Sequence, residues 1–226
     1  MDLFEQSMKM VNELNQELLQ SEFVDGGLRL DLVYQCCDIS IEHGLAVKTL
    51  LEAELFISAL ALFRTQFESV VRAYWILFAA TDEQVSELGV LDSIEQLTLK
   101  EHKSISRFTA TSMIEALREI QEINHIVVQL EDFKLFSLDY LNSIVHSGKQ
   151  TFLRHTFGLG DEHEKLIIKQ SNNLTMMIAQ IYLKHTLPDR QKLIQIFIQK
   201  YRECFMLPED ISKEEQEKIL ARYKKT

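Results

Sequence analysis

Apolar residues recur at three- and four-residue spacing along most of this chain, and no stretch shows the two-residue alternation of a strand. The pattern predicts a succession of helices. Phe4, Met8, Val11, Leu14 and Leu18 mark the first, over 2–21, and Asp25-Gly26-Gly27 breaks it. Leu30, Val33, Cys37, Ile41, Leu45 and Leu50 mark a second over 28–51, with Gly44 inside the pattern as a weak point. A corner near Glu52 leads into the most apolar segment, 53–80. Thr81 or Asp82 then caps a short helix with acids in its first turn.

Further on the pattern weakens. Ile94, Leu97, Ile105, Met113, Ile114, Leu117, Ile120 and Ile123 suggest two shorter helices within 92–124, an outer arm or cover. Leu135, Leu138, Leu141 and Val145 share one face of a helix over 130–145, which Ser147-Gly148 ends with Gly148 at the C′ place. Residues 149–161, with Phe152, Phe157, Gly158 and Gly160, read as a connecting loop. A long helix over 162–187 turns Leu166, Ile167, Leu174, Met177, Ile178, Ile181 and Tyr182 inward. Pro188 restarts the chain, Leu193, Ile196, Phe197, Tyr201 and Phe205 continue the pattern, and Ser212 with Glu215 forms a capping box for a last helix. With seven glycines and two prolines in 226 residues, and no linker or repeat, the expectation is one all-α domain over 1–226. Its bundle core lies at about 28–187 and its C-terminal helices at 188–226.

The segment 53–80 is apolar on nearly every side, which predicts a buried helix. Yet it carries Arg64, Glu68 and Arg72 at i, i+4 and i+8, one stripe of a helix. Buried charge is costly unless paired. Glu68 stands one turn from each arginine, so the stripe supplies its own pairing, either as a clamp that sets helix register or as the wall of a site. A second cluster, Asn142 and His146, shares the last turns of the helix before Gly148. There a histidine gains from the helix dipole, and it is also a general base by its ordinary pKa. Lys149, Arg154 and His155 follow as a small basic patch that meets phosphate or solvates a loop.

Bulk properties narrow the classes. A net charge of −10 argues against broad binding to DNA or anionic membranes and leaves room for a local basic pocket. The longest uninterrupted apolar run, Ala73 to Ala80, has 8 residues, too few to span a bilayer. The first residues lack the basic start of a secretory leader. Cys36, Cys37 and Cys204 form no C-x-x-C pair and read as reduced core thiols, so the expected location is cytoplasmic. Asp161-Glu162-His163-Glu164 reads as acids at a helix start, not as a metal cluster.

The block 44–88, GLAVKTLLEAELFISALALFRTQFESVVRAYWILFAATDEQVSEL, resembles a family of uncharacterised bacterial proteins. Its members share a small-Ala-Leu-x-Leu-x-Arg-x-Gln-Phe-Glu-x-x-x-Arg-x-x-Trp segment. LNSIVHSGKQTFLRH, 141–155, resembles that family's second motif. The family in turn is distantly similar to the HEPN superfamily of helical domains and to abortive-infection proteins of the AbiV kind. The resemblance implies an all-α, HEPN-like helical bundle with extra peripheral helices, paired as a homodimer. It also implies an effector of a bacterial phage-defence or stress system that cleaves RNA without metal or cofactor. In that reading His146 is acid/base, Asn142 positions the substrate or the imidazole, and Arg64 or Arg72 holds the phosphate. Glu68, Lys149 and Arg154 lie on the substrate side.

The HEPN signature places Arg before the polar residue, and here that position is Leu141. Arg118 to His125 offers the right spacing, but with Glu119 as its second member it reads as a chance match. Two alternatives therefore stand beside the ribonuclease. One is a non-catalytic dimeric interaction module, a degenerate HEPN domain that docks on a partner protein of a defence or toxin–antitoxin operon. The other is a nucleotide or anion sensor. All three dispense with a membrane.

Overall fold

The computed structural model describes residues 2–20, 25–89, 108–186 and 192–206. Ten α-helices carry these residues: α1 (Leu3–Leu19), α2 (Gly27–Glu52), α3 (Phe56–Phe78), α4 (Asp82–Gly89) and α5 (Ala110–Leu117); then α6 (Asn124–Phe133), α7 (Asp139–Val145), α8 (Lys149–Phe157), α9 (Asp161–Thr186) and α10 (Lys192–Lys200). No strand occurs among the described residues. None of their helices is long and apolar enough to cross a membrane. The expected helix with the Ser212 capping box, the Pro188 restart and the Ile94, Leu97 and Ile105 positions lie outside the described residues.

The α2–α3 hairpin is the spine, with α9 against both, α5, α7 and α8 on the other flank of α3, and α1 over α9. As its composition predicts, α3 buries Leu60, Phe63, Phe67, Val70, Val71, Tyr74, Trp75 and Ile76. Phe133, the last residue of α6, stacks on Phe67 at 4.2 Å and meets Phe63 edge-on at 5.1 Å. Tyr182 of α9 stacks on Tyr34 of α2 at 5.4 Å and donates its hydroxyl to the Asp38 carboxylate. Cys36, Cys37 and Cys204 are buried free thiols.

Gly44 is a point of close approach. A Cβ there would lie 2.6 Å from the Gln66 amide nitrogen and push that buried amide off the Ser171 carbonyl and Thr175. Gly44→Ala is expected to destabilise by about 1–3 kcal/mol through overpacking, despite alanine's better helix propensity. A urea melt that shows it unchanged or more stable removes this account of Gly44.

Expectations fail in three places. The inward positions after Leu130 are Phe133, Leu138, Leu141 and Ile144. The step from Phe133 to Leu138 is five residues because Lys134–Leu138 forms a π-helical turn. That turn rotates the face, leaving Leu135 55% exposed and Val145 exposed where the regular spacing turned both inward. The second failure is the loop at 149–161, of which Lys149–Phe157 is helix α8. In α10, likewise, Ile194 and Phe197 are buried and Ile196 is exposed.

Candidate interaction site at the corner of α7 and α8

The corner between α7 and α8 is built by a C-terminal cap. The Ser147 N–H donates to the Ile144 carbonyl at 3.2 Å and the Gly148 N–H to the Ser143 carbonyl at 2.6 Å, the two bonds of a Schellman motif. The left-handed residue is Ser147, φ 53°, and not Gly148 as the sequence pattern suggests. Gly148 is needed one place later, because a Cβ there would sit 2.5 Å from the Ser143 Oγ. The α8 backbone then folds back onto α7. The Gln150 N–H donates to Ser143 Oγ at 3.2 Å, and Thr151 Oγ1 lies 3.0 Å from the Ser143 carbonyl and 2.9 Å from that of Ile144. A serine in the left-handed region carries strain that glycine lacks. Ser147→Gly is expected to stabilise by about 0.5–1 kcal/mol, read as a higher urea midpoint; a fall in the midpoint contradicts the strain.

His146 is the C-cap of α7, exposed, with its N–H donating to the Asn142 carbonyl at 3.0 Å. Asn142 is half-buried, and its Oδ1 is buried without a hydrogen-bond partner. It lines a groove of about 480 Å³ with Thr111, Arg118, Glu131, Lys134, Leu135, Leu138 and Asp139, along the π turn. Arg118 and Glu131 form an ion pair across this groove. A second concavity of about 330 Å³, between Trp75, Phe108 and Met113, contains none of the expected site residues. Leu141, at the signature arginine position, is 1% exposed and belongs to the core.

The Arg64–Glu68–Arg72 stripe is half-buried, not sealed. Arg64 pairs with Glu68 at 3.0 Å. Arg72 does not join them: it donates to the Phe108 carbonyl at 3.4 Å, and no ion pair with Glu68 forms among the described residues. The expected three-member clamp is therefore one pair and one separate arginine. Arg154 donates to the Gly158 carbonyl at 3.4 Å and lies 5.9 Å from the centre of the Tyr140 ring. Burial pushes the Tyr140 phenol up, and the nearby Arg154 opposes this. Lys149 is exposed at the start of α8.

Asn142, His146, Lys149 and Arg154 thus share one corner, and Arg64 with Glu68 lies on α3, which packs against α7 and α8. Arg72 sits further along α3, by Phe108. Arg118 and Lys134 line the Asn142 groove, though neither is among the expected site residues. Among the described residues no three His, Cys, Asp or Glu side chains stand together to hold a metal ion.

The most open feature of the corner is α8 itself. None of its nine residues is buried; Phe152 is 67% and Phe157 78% exposed. Leu55, at the start of α3, and Val145 add to the exposed apolar set. Fold and corner together define an all-helical bundle with an uncovered aromatic helix on its flank. Residues 37–207 match the family model DUF6988, and the chain belongs to that family of unknown function. No curated protein and no solved structure matches the chain.

Proposed function

We propose that this protein is a non-catalytic interaction module that pairs with a second copy of itself through α8. The carrying observation is the exposure of Phe152 and Phe157 on a helix none of whose residues is fully buried. Exposed aromatic patches of this kind mark contact surfaces. Charge supports a second copy as the occupant. Lys149 and His155 are exposed on α8, while Asp161, Glu162 and Glu164 follow it in the chain and Glu54 is within electrostatic reach of Glu164. A two-fold interface brings each patch against its counterpart's complement, as self-complementary pairing requires. Light scattering on the purified protein is expected to give a dimer mass, and Phe152→Glu with Phe157→Glu a folded monomer. A monomeric wild type at tens of micromolar sinks this reading.

A second reading, the HEPN-like RNA-cleaving effector, draws support from Asn142. Its Oδ1 is buried without a partner, and the residue lines a groove with Arg118 and Lys134, cations that stand in for the arginine missing at Leu141. In this reading His146 moves the proton of the ribose hydroxyl and these two side chains hold the phosphate. Arg64 is paired with Glu68 and Arg118 with Glu131, so each would have to give up its carboxylate to take a phosphate, and Lys134 is the cation of the groove with the weaker commitment. Labelled cellular RNA incubated with wild type and with His146→Ala separates the readings. Cleavage by wild type alone supports the effector; equal cleavage, or none by either, counts against it.

A further inference from the structure

A polar layer crosses the core where α2, α3 and α9 meet. Lys48, on α2, is 0% exposed. Its Nζ donates to the Gly44 carbonyl at 3.0 Å and to Ser171 Oγ at 3.1 Å. Ser171 Oγ donates in turn to Gln66 Oε1 at 2.8 Å, and the Gln66 amide donates to the Ser171 carbonyl at 3.1 Å. Every partner of the amine is a neutral oxygen. A neutral amine has two N–H groups and an ammonium three. The two acceptors match the neutral form, and a third N–H finds no acceptor among the described residues. Burial accordingly holds the amine down at about pKa 7.

The charged surroundings of Lys48 are sparse. From α9 it meets Ser171, and behind Ser171 stand Gln66 of α3 and Thr175, all neutral. Among the described residues the titratable side chain that acts on it is Cys204, in the turn Arg202–Cys204 after α10; Cys204 itself feels Glu203 and Lys169. That turn and α1 lie over α9 at this point. One side chain fastens both: Asn172 Nδ2 donates to Ser7 Oγ of α1 and to the Cys204 carbonyl, each at 2.8 Å. Asn172 Oδ1 is buried without a partner. The Glu13–Lys200 ion pair adds a surface tie between α1 and α10.

We propose that α1 and the 201–205 turn form a cover over Lys48 that loosens as the amine takes up a proton. Two unsatisfied demands fall at neighbouring residues of α9, the third N–H of a charged Lys48, held at Ser171, and the free Oδ1 of Asn172. Opening the cover hands both to water. In the open state the amine regains its ordinary pKa near 10.4, so opening and proton uptake are linked. The open state binds more protons throughout the window between about pH 7 and 10.4. The opening constant therefore rises as pH falls through that window and levels off below it.

Hydrogen exchange read by mass spectrometry, corrected for the intrinsic pH dependence, tests the cover. In the wild type, amides of α1 and 201–205 are expected to exchange about five-fold faster at pH 7 than at pH 8, with about two-fold more at pH 6. Amides of α4 and α6 keep their protection. Lys48→Met abolishes the rise, and Lys48→Gln serves where methionine does not fold. An unchanged corrected rate in the wild type, a rise spread evenly over the chain, or a rise that persists in the neutral variants overturns the proposal.

Discussion

Replacing Lys48 by methionine is expected to make the protein more stable at neutral pH, by about 1–4 kcal/mol. Nothing is orphaned by the change. Ser171 Oγ keeps its bond to Gln66, and the Gly44 carbonyl keeps its place in the α2 ladder. Methionine fills similar volume with a flexible apolar chain. What disappears is the cost of holding an amine at about pKa 7 inside the core. The sign follows from proton counts. Between about pH 7 and the ordinary lysine value the unfolded chain carries a proton that the folded chain lacks, so wild-type stability on this account rises with pH. Below pH 7 both states are charged and the penalty is complete; its full size is on the order of 5 kcal/mol at 1.36 kcal/mol per unit, an upper bound. The gap between variant and wild type should therefore be widest at pH 6–7 and narrow by pH 9. Urea melts of the pair at pH 6, 7, 8 and 9 measure it. The comparison cancels the thiols, since both proteins carry Cys36, Cys37 and Cys204. A methionine variant less stable than wild type at pH 7, or a gap that does not vary with pH, would show that the amine is well served where it sits.

Lys48 was within reach of a sequence reading. Cys37, Gly44, Lys48 and Leu51 follow helical spacing on the buried face of α2, so a lysine stands where the pattern asks for an apolar side chain. The same periodicity makes the extents of α1, α2, α3 and α9 legible, though in α2 only Val33 and Cys37 of the expected apolar set are buried, while Leu30, Ile41, Leu45 and Leu50 are half-buried. Elements without such a stripe are not legible. Helix α8 buries no residue, and its exposed phenylalanines beside Gly158 and Gly160 look like a loop. The π turn at Lys134–Leu138 leaves no mark in the apolar spacing; it follows directly on Phe133, whose ring is seated against α3 from far off in sequence. Pairing within the charged stripe was open for a similar cause. Both arginines are in reach of Glu68 by spacing, and the choice rests on the Phe108 carbonyl, far off in sequence. The groove residues Arg118 and Lys134 come from two elements that only the tertiary fold brings beside Asn142.

The second large effect concerns that seating. Phe67→Ala is expected to destabilise by about 3–5 kcal/mol. Phe67 is fully buried in the middle of α3, and its ring stacks on Phe133 at 4.2 Å with 13° between the planes. Truncation leaves a cavity between α3 and α6 and removes the stacked pair, itself about 0.5–1.5 kcal/mol beyond burial. Against a typical domain stability of about 5–15 kcal/mol the loss is a large fraction. Phe67→Leu, which retains most of the volume, should lose clearly less. The change also reaches the candidate site. Phe133 is the last residue before the π turn, and the five-residue step to Leu138 keeps Leu138, Leu141 and Ile144 inward while Asn142 lines the groove. With Phe133 unseated the regular four-residue step competes, and it would swing Asn142 off the groove. Hydrogen exchange in Phe67→Ala should therefore quicken over 130–145 beyond the global loss, while α1 follows the global loss alone. A destabilisation below about 1 kcal/mol would mean that neighbouring side chains close the cavity. A uniform exchange response would separate the aromatic stack from the geometry of the π turn.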